Sequence, residues 1–430
     1  MGAPPGSVMP APRVLFISGS VGLGHVTRDL AIARELRARI PDVQIEWLAG
    51  DTAREVIGDA GEVLAPEAAA YTTGTAIVEA AAGAFTLNLA NPRYLLRLGA
   101  AVRGLPRFVH DLEANIAAFR GATRRVPFDL VIGDETFELA WGLSRNPALR
   151  TAPFALIVDF MGVDAMTRNP LERAIVHLLN RAWAGLLTRI PRVCDLVLFV
   201  GEEEDVSEVP LSRELPNRRE CARRAVAFVG HICPFDVAAY ADRAQLRARL
   251  GYGEGPLIVC AVGGTAVGAP LLELCADAFP LLRAKLPALR MVVVCGPRIS
   301  PASVRVPAGV EVRGYVDRLF EHFAASDLAI VQGGGTTTLE LTSLRRPFLY
   351  FPLEEHFEQQ RTVASRLARH GAGVRMQFSA TTPATLAAGV LANIGREVTY
   401  APVRTDGARR AAELLSEVLG GRPRGAGTGT

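Results

Sequence analysis

Residues 327–360 constrain the fold of this chain more than any other segment. An apolar run from Leu328 to Val331 has the length and composition of a buried strand in a parallel sheet. Three glycines, Gly333 to Gly335, follow it, and the next residues, Thr336 to Leu341, predict a helix. Glycines let backbone N–H groups approach an anion, and a helix N-terminus adds unpaired donors and a favourable dipole. The segment therefore predicts a strand–turn–helix unit with a diphosphate-sized anion site at its turn.

Polar residues farther along extend this site. Glu340 lies about one turn into the predicted helix, where its carboxylate can accept hydrogen bonds from ribose hydroxyls. A second strand, Pro347 to Phe351, stops at Pro352, and a polar loop over 354–360 leads into another helix. Together these features outline a site for a nucleotide sugar. An ordinary strand–turn–helix of a doubly wound domain is the alternative, and the spacing of so many elements argues against it.

This order of elements resembles the C-terminal signature of inverting glycosyltransferases with the GT-B fold. The resemblance is to family 28, which includes the enzyme that adds N-acetylglucosamine to lipid I, and also to family 1 UDP-glycosyltransferases. It implies that the glycine-rich turn binds pyrophosphate, the Glu binds ribose, and a Gln-Gln pair contacts sugar hydroxyls. Gln332, which stands where family 1 enzymes carry a His, leaves a cationic partner for the β-phosphate in doubt. The implied donor residues of this segment are Gln332, Gly334, Gly335, Thr336, Thr337, Glu340, Gln359 and Gln360.

Two further segments match the same families in the same order. Gly263, Gly264 and Thr265 follow the first strand of the second half and resemble a Gly-Gly-Ser turn that contacts pyrophosphate. Val316 lies where the family binds uracil through main-chain atoms. Because backbone groups would read the base, uridine is favoured by resemblance alone, and thymidine remains an alternative.

The remaining pattern predicts an α/β protein with two Rossmann-like, doubly wound domains that face each other across a cleft. A strand from Arg13 to Ser18, a helix from Val26 to Arg39 and a strand from Gln44 to Ala49 form a βαβ unit with a parallel sheet. A helix from Ala238 to Leu250 is expected just after a hinge near Gly230. The expected divisions are a flexible N-terminus over 1–12, an acceptor-binding domain over 13–229, a nucleotide-sugar domain over 230–403, a helix over 404–420 that crosses back to the first domain, and a disordered tail over 421–430.

Composition excludes several classes of protein. The 430 residues include 49% apolar and 21% charged side chains, which suits a globular protein with two large cores. A formal net charge of +3 gives no argument for nucleic-acid binding. The six cysteines include no Cys-x-x-Cys pair, so free thiols in a reducing, cytoplasmic compartment are expected. No stretch approaches the ~20 apolar residues of a membrane span, and the N-terminus lacks the pattern of a signal peptide.

His25 is the candidate catalytic residue of the first half. Transfer with inversion needs a base for the acceptor hydroxyl, and an unperturbed His has a pKa of about 6.5. Gly22 and Gly24 form a loop that can bring His25 to the cleft. Families 1 and 28 carry a glycine-rich loop ending in His here, and in family 1 an Asp orients it. Asp134 occupies the matching kind of position, with Glu135 and Glu138 as alternatives. Both residues also have an alternative without a catalytic role. His25 would then be an ordinary residue at a helix N-terminus, and Asp134 would be a helix N-cap.

The sequence says least about the identity of the acceptor. Arginines interleave with apolar residues over 85–125, including Arg93, Arg97, Arg103 and Arg107, and again over 168–192. Such helices can lie on an anionic membrane surface, which suits a lipid-linked acceptor, or can simply face solvent. Since the net charge is mild and no long apolar surface helix is evident, the sequence slightly favours a soluble acceptor. Peripheral contact with the inner face of the membrane stays open.

The sequence as a whole predicts a metal-independent, inverting glycosyltransferase that moves a GlcNAc- or glucose-type hexose from a UDP-sugar to an acceptor hydroxyl. It predicts no cofactor other than the UDP-sugar co-substrate, and no metal ligands. A UDP-sugar epimerase of the same fold is one alternative, although its Arg-Pro-Glu segment is missing here. A non-catalytic partner protein of this fold is another, although such proteins usually lose the donor motifs that Glu340, Gln359 and Gln360 represent.

Overall fold

Two parallel β-sheets form the framework of the protein. The computed structural model describes residues 10–18, 23–72, 110–166, 168–263, 268–354, 356 and 358–421. Within them, one sheet has seven strands in the order β3-β2-β1-β4-β5-β6-β7, and the other has six in the order β10-β9-β8-β11-β12-β13. In each sheet the strand order reverses direction at the strand that comes first in the sequence, β1 or β8. This reversal is typical of a doubly wound domain. The expected fold class, two Rossmann-like domains of the GT-B type, is confirmed.

The strands follow from short apolar runs bounded by turns. Those of the first sheet are β1 Arg13–Ser18, β2 Gln44–Ala49, β3 Val63–Leu64, β4 Leu130–Asp134, β5 Phe154–Val158, β6 Leu196–Val200 and β7 Ala227–Gly230. Those of the second are β8 Leu257–Ala261, β9 Arg290–Val294, β10 Val310–Arg313, β11 Leu328–Gln332, β12 Phe348–Phe351 and β13 Val374–Arg375. The central strands are buried along their whole length, as expected for parallel strands covered on both faces.

Helices cover both faces of each sheet. Their bounds are Leu23–Arg39, Asp51–Asp59, 110–125, Phe137–Arg145, Pro170–Val193, Arg218–Ala225, Arg243–Arg249, Ala269–Lys285, Leu319–Ala325, Gly335–Ser343, Ala364–His370, Pro383–Asn393 and Gly407–Leu419. A π-helical turn, Glu358–Val363, leads into the helix that starts at Ala364.

The last helix, Gly407–Leu419, packs against the first sheet. Alternation along β1 sends Leu15 and Ile17 to one core and Val14 and Phe16 to the other. Leu415 of the last helix is fully buried in the same cluster as Val14 and Phe16. The last helix therefore belongs to the core of the first domain, although it follows the second domain in the sequence.

The helix expected from Ala238 to Leu250 is divided in two. Residues Val237–Tyr240 form a 3-10 turn, and a separate helix spans Arg243–Arg249. The division occurs at Asp242, whose side chain accepts a hydrogen bond from the backbone N–H of Gln245 at 2.9 Å. An Asp at this position caps a new helix more favourably than it continues an old one. The expectation of one continuous helix was wrong for this reason.

Candidate functional site

A cleft of about 800 Å³ lies between the two domains. Its walls come from the carboxyl ends of both sheets, where doubly wound domains commonly bind ligands. From the first domain it is lined by Gly24, His25, Arg28 and Asp159. From the second it is lined by Gly263, Val316, Gly334, Gly335, Thr336, Thr337 and Glu340, among others. The cleft thus brings several of the expected donor residues opposite the expected base.

His25 and Asp134 are in direct contact. His25 lies in the first turn of the helix that follows β1, and Asp134 ends β4, the neighbouring strand. The Nδ1 atom of His25 is 3.1 Å from Oδ2 of Asp134, whose side chain is fully buried. The His25 side chain keeps 21% of its surface exposed to the cleft. Because a buried carboxylate at this distance accepts the Nδ1 proton, Nε2 is left as the nitrogen that can accept a proton from a ligand.

Arg28 and Asp159, which the sequence reading did not select, complete this cluster. Arg28 donates from Nη2 to Oδ1 of Asp134 at 2.5 Å and from Nη1 to Oδ2 of Asp159 at 2.7 Å. The same Asp159 oxygen lies 3.9 Å from Nε2 of His25. Their positions in the sequence did give a signal that they could belong to the site. Arg28 is three residues after His25 on one helix face, and Asp159 directly follows β5.

Electrostatics keep both aspartates ionised. Burial opposes the charge on Asp134, but Arg28 and then His25 outweigh it and hold the pKa of this carboxyl below its usual range. Burial opposes the charge on Asp159 as well, and Arg28 followed by His25 depresses its pKa strongly. The cluster therefore presents two carboxylates around one imidazole, with one guanidinium balancing them.

The two alternatives to Asp134 have other partners. Glu135 adopts a left-handed backbone with φ of 51°, and burial, then Asp159, raises its pKa well above the usual value. Its side chain is hydrogen-bonded to Asp159. Glu138 accepts from the hydroxyl of Tyr71 at 3.0 Å, and burial raises its pKa. Of the three acidic residues proposed as the partner of His25, Asp134 is the one whose carboxylate hydrogen-bonds to its ring.

The glycine-rich turn lies at the N-terminus of the helix Gly335–Ser343. Gly334 is its N-cap, and Thr338 Oγ1 donates back to the carbonyl of Gly334 at 2.8 Å. A side chain at Gly333 would place its Cβ 2.8 Å from the Cα of Pro352, so the chain can pass there only as glycine. Gly335 and Thr336 of the first turn line the cleft, and the first N–H groups of a helix have no partner within it, as an anion site requires.

Glu340 is a buried carboxyl on the cleft wall. It is 9% exposed, and burial raises its pKa to about 8. A carboxylate in such surroundings gains from any hydroxyl groups that donate to it. It lies about one turn beyond the N-terminus of the helix Gly335–Ser343.

Aromatic residues frame the far end of the cleft near Val316. Phe235 stacks on Phe320 with ring centroids 4.1 Å apart, and Tyr240 meets Phe320 edge-on at 5.6 Å. All three line the cleft, and Arg318 donates to the Tyr240 hydroxyl at 2.8 Å. The sequence did not reveal this cluster because its members come from segments that are distant in the chain. Apolar rings suit the flat face of a nucleobase.

Gln359 and Gln360 are hydrogen-bonded to the loop after Pro352. Oε1 of Gln359 accepts from the N–H of Leu353 at 2.8 Å, and Nε2 of Gln360 donates to the carbonyl of Leu353 at 2.9 Å. Oε1 of Gln360 accepts from Arg375. The cleft lining instead includes their neighbour Glu358, whose pKa is raised by burial and by Asp159. The two amides support the loop after Pro352, and their contact with a donor sugar stays a prediction.

Some residues expected at the site lie away from the cleft surface, and others are not among the residues that the structure describes. Gln332 is 7% exposed, and its Oε1 lies 3.8 Å from the position that a Cβ of Gly263 would take, behind the cleft wall. Gly22, Gly264 and Thr265 lie outside the described residues. The same holds for Arg93, Arg97, Arg103 and Arg107, for residues 1–9 of the expected N-terminal segment, and for 422–430 of the expected tail.

Comparison with known proteins shows that the chain is similar to glycosyltransferases. Residues 258–414 match the family model of the glycosyltransferase family 28 C-terminal domain. An uncharacterized glycosyltransferase of Methanopyrus kandleri is 27% identical over 308 residues, which cover 71% of this chain and 80% of the relative. The UDP-N-acetylglucosamine–N-acetylmuramyl-(pentapeptide) pyrophosphoryl-undecaprenol N-acetylglucosamine transferase of Mycolicibacterium smegmatis is 29% identical over 426 residues, covering 95% of this chain and 90% of the relative.

Solved structures show the same fold. The glycotransferase of kitacinnamycin superimposes with a TM-score of 0.59 at 16% identity, covering 95% of this chain and 99% of that one. A calicheamicin glycosyltransferase superimposes with a TM-score of 0.53 at 17% identity, covering 96% of this chain and 95% of that one.

Proposed function

Because the chain is a glycosyltransferase of the GT-B fold with a family 28 C-terminal domain, we propose that it transfers a hexose from a UDP-sugar with inversion, using His25 as the base. One observation carries the proposal. The His25–Asp134 pair, 3.1 Å apart, lies on the cleft wall opposite the helix N-terminus at Gly335 and Thr336. A bound diphosphate there would direct the sugar attached to it toward His25.

Asp134 prepares His25 for proton transfer. Its carboxylate holds the Nδ1 proton, so the lone pair of Nε2 faces the cleft, where an acceptor hydroxyl would lose its proton as it attacks the anomeric carbon. The imidazolium that forms is stabilised by Asp134 and by Asp159, whose oxygen is 3.9 Å from Nε2. Arg28 offsets part of this stabilisation because it pairs with both carboxylates. It also keeps them ionised, so neither competes with His25 for the proton.

The second domain serves the leaving group. The unpaired N–H groups at Gly335 and Thr336 would donate to the departing diphosphate, whose negative charge grows as the glycosidic bond breaks. These donors supply the stabilisation for which other transferases use a metal ion, so the proposed mechanism is metal-independent. Glu340 would hold the ribose hydroxyls, and the rings near Val316 would contact the base.

N-acetylglucosamine is the proposed sugar. The name of the Mycolicibacterium smegmatis relative, which aligns over 95% of this chain, specifies UDP-N-acetylglucosamine as donor. UDP-glucose remains in the proposal as the second donor to test.

A lipid-linked acceptor is favoured by one face of the first domain. On the helix Pro170–Val193, the side chains of Ile175, Leu178 and Leu179 share one face and are 37%, 63% and 38% exposed. Trp141 on the adjacent helix is 49% exposed and carries Arg145 over its ring at 4.7 Å. The exposed arginines of the segment are Arg168, Arg173, Arg181, Arg189 and Arg192.

This face changes the preference that the sequence suggested. The sequence favoured a soluble acceptor because no apolar surface helix was evident beside the arginines, and the structure contains one. Apolar side chains flanked by cations suit the surface of an anionic bilayer. Within the part of the chain that the structure describes, no helix has the length and apolarity needed to cross a membrane. We therefore propose peripheral contact, with the acceptor presented at the membrane surface.

A donor screen tests the proposal. The protein is incubated with UDP-N-acetylglucosamine, UDP-glucose and the corresponding dTDP-sugars, and both the thermal midpoint and the slow release of nucleoside diphosphate are measured. The proposal predicts a rise in midpoint and slow hydrolysis with a UDP-sugar, and weaker effects with dTDP-sugars. Conversion of UDP-N-acetylglucosamine to its C2 epimer would instead show an epimerase. No response to any nucleotide sugar would favour a non-catalytic partner protein.

A further inference from the structure

A second cluster of potential ligands lies at the hinge, where one of its members, His231, also lines the cleft. One ligand atom from each of Glu202, His231 and His370 lies within 4.8 Å of the other two. Glu202 follows β6, His231 follows β7, and His370 ends the helix Ala364–His370 of the second domain. The sequence showed no ligand spacing for these histidines, because the three residues come from distant parts of the chain.

The backbone fixes two of the three residues side by side. Gly201 and Gly230 exchange two hydrogen bonds, N to O at 2.9 Å and 3.0 Å, and form an antiparallel bridge. Glu202 and His231 are the next residues on each side of this bridge. Both glycines have positive φ, 143° and 82°, which favours glycine and sets the chain direction at this point. The pair Glu202–His231 is therefore positioned by rigid backbone at the junction of the domains.

His370 has the hydrogen-bonding pattern of a metal ligand. Its Nδ1 donates to the carbonyl of Ala401 at 3.2 Å, which leaves the lone pair on Nε2. The side chain is 5% exposed, and Nε2 has no hydrogen-bond partner among the described residues. A ring N–H given to a backbone carbonyl is the usual arrangement behind a ligating imidazole. A buried acceptor without a partner costs free energy, so the site gains from a group that binds this nitrogen.

His231 offers a second buried nitrogen. It is 1% exposed, and its Nε2 also has no hydrogen-bond partner among the described residues, although Oδ2 of Asp205 lies 3.4 Å away.

The charged groups around the site determine whether a cation can bind there. Asp205, with a fully buried side chain, accepts from Arg366 at 3.0 Å and from Arg369 at 2.9 Å. Arg369 also contacts Glu202 at 3.1 Å, and its side chain is 29% exposed. Two carboxylates and two guanidiniums therefore balance. Arg369 is the group that a metal ion must displace from Glu202, and its exposure lets it turn toward solvent while Arg366 stays on Asp205.

We propose that Glu202, His231 and His370 form a binding site for Zn²⁺ or a similar first-row divalent ion, which links the first domain to the second at the hinge. Two imidazole nitrogens and one carboxylate form a common three-ligand zinc set, with water in the fourth position. Mg²⁺ and Ca²⁺ prefer oxygen ligands and fit this set poorly. His231 also lines the cleft, but none of the three ligands has a part in the proposed sugar transfer, so the site stands or falls independently of the proposed function.

Metal titration of the full chain tests the site. Protein treated with a chelator and then dialysed is titrated with Zn²⁺ by calorimetry, and with Co²⁺ by visible absorption. The site predicts one Zn²⁺ per chain, a tetrahedral Co²⁺ spectrum, a higher thermal midpoint with Zn²⁺ and no response to Mg²⁺. Zinc affinity should fall by at least about tenfold in His231→Ala and in His370→Ala, as expected for loss of a ligand.

Two control variants make the result specific. His177→Ala removes a histidine that bonds Ser212 far from the hinge and should leave zinc affinity unchanged. A second group with ligand spacing consists of His25, Glu135 and Asp159. His25→Ala disrupts that group and should leave zinc binding at the hinge unchanged. Arg369→Gln should strengthen zinc binding several-fold, because it removes both a positive charge and the competitor for Glu202.

Specific outcomes would overturn the proposal. Absence of zinc binding to the wild-type chain would show that the two histidines only pack within the ion-pair network around Asp205. Binding that survives in the His231 and His370 variants, or that disappears in His25→Ala, would place the ion elsewhere. Because Arg369→Gln keeps both histidines, weaker binding in that folded variant would also contradict the site, even if the histidine variants failed to fold.

Discussion

Gly24 and Thr336 face each other across the cleft with no room for a side chain between them. A Cβ at residue 24 would lie 2.3 Å from Oγ1 of Thr336 and 3.1 Å from its Cβ. Gly24 immediately precedes the proposed base, and Thr336 belongs to the proposed anion-binding turn. The contact therefore couples the position of His25 to the position of the donor diphosphate.

This contact predicts the effect of a single methyl group. Gly24→Ala should separate the two walls by a few tenths of an ångström, since rotation of Thr336 relieves the clash with Oγ1 but not with Cβ. We expect turnover to fall by about tenfold, equivalent to about 1.4 kcal/mol of transition-state free energy, while the fold is kept. Steady-state kinetics with a UDP-sugar measure this loss.

A double-mutant cycle checks the physical cause. If the loss comes from the contact, Gly24→Ala combined with Thr336→Ala should be less damaging than the two separate losses predict when added. Additive losses would show that residue 24 acts on something other than Thr336.

Glu340 predicts a pH dependence of nucleoside binding. Its pKa is about 8 in the free cleft, and ribose hydroxyls donate best to the ionised form. Binding therefore lowers this pKa and releases a proton, so affinity should rise with pH up to about 8 and then level off. Uridine is the suitable probe, because it has no phosphate that titrates in this range. Calorimetry between pH 6 and pH 9, in two buffers, measures both affinity and proton release.

Variants at the same position supply the control. Glu340→Gln keeps the size of the side chain and should bind uridine with no pH dependence over this range. Glu340→Ala should lose roughly tenfold or more in affinity, as hydrogen bonds to a charged group contribute about 1.5–3 kcal/mol. An unchanged affinity in folded Glu340→Ala would remove the residue from the ribose site.

The apolar face of the helix Pro170–Val193 predicts binding to anionic vesicles. Leu178→Gln should weaken co-sedimentation with such vesicles, because it removes the most exposed apolar side chain of that face. Arg173→Gln should weaken it at low salt only, where attraction of about 1 kcal/mol per cation is not screened. Leu281→Gln is the matched control, since Leu281 is 47% exposed on the second domain. Equal loss in Leu178→Gln and Leu281→Gln would show non-specific adsorption.

Much of the fold could be predicted because parallel sheets leave a strong local signal. Buried parallel strands such as Phe154–Val158 and Leu196–Val200 are continuous apolar runs, so their limits can be recognised from composition. The short edge strands Val63–Leu64 and Val374–Arg375 were missed, because two residues at a sheet edge have no such run. The glycine-rich turn was equally visible, since its backbone requirements fix the residue type.

The site was predicted in part, for a different reason. His25 and Asp134 could be named because each follows a strand, and adjacent parallel strands bring their carboxyl ends together. The positions of Arg28 and Asp159, on the helix face of His25 and directly after β5, gave a weaker signal, because their contacts depend on the distances between three elements. Gln359 and Gln360 show the opposite limit, because their amides hydrogen-bond to the loop at Leu353, and no sequence pattern separates that role from sugar binding.

The role of His25 is tested most directly by measuring nucleotide binding and turnover in the same variant. UDP affinity is measured by calorimetry, and UDP release from the preferred UDP-sugar by a coupled assay, for wild type, His25→Ala and Asp134→Asn. The account predicts unchanged UDP affinity in His25→Ala, with turnover lower by roughly 10²–10⁴-fold, and a smaller loss in Asp134→Asn. His177→Ala should match wild type in both measurements. Turnover near the wild-type rate in His25→Ala would contradict the account and move the base to another residue, with Glu135 the first to test.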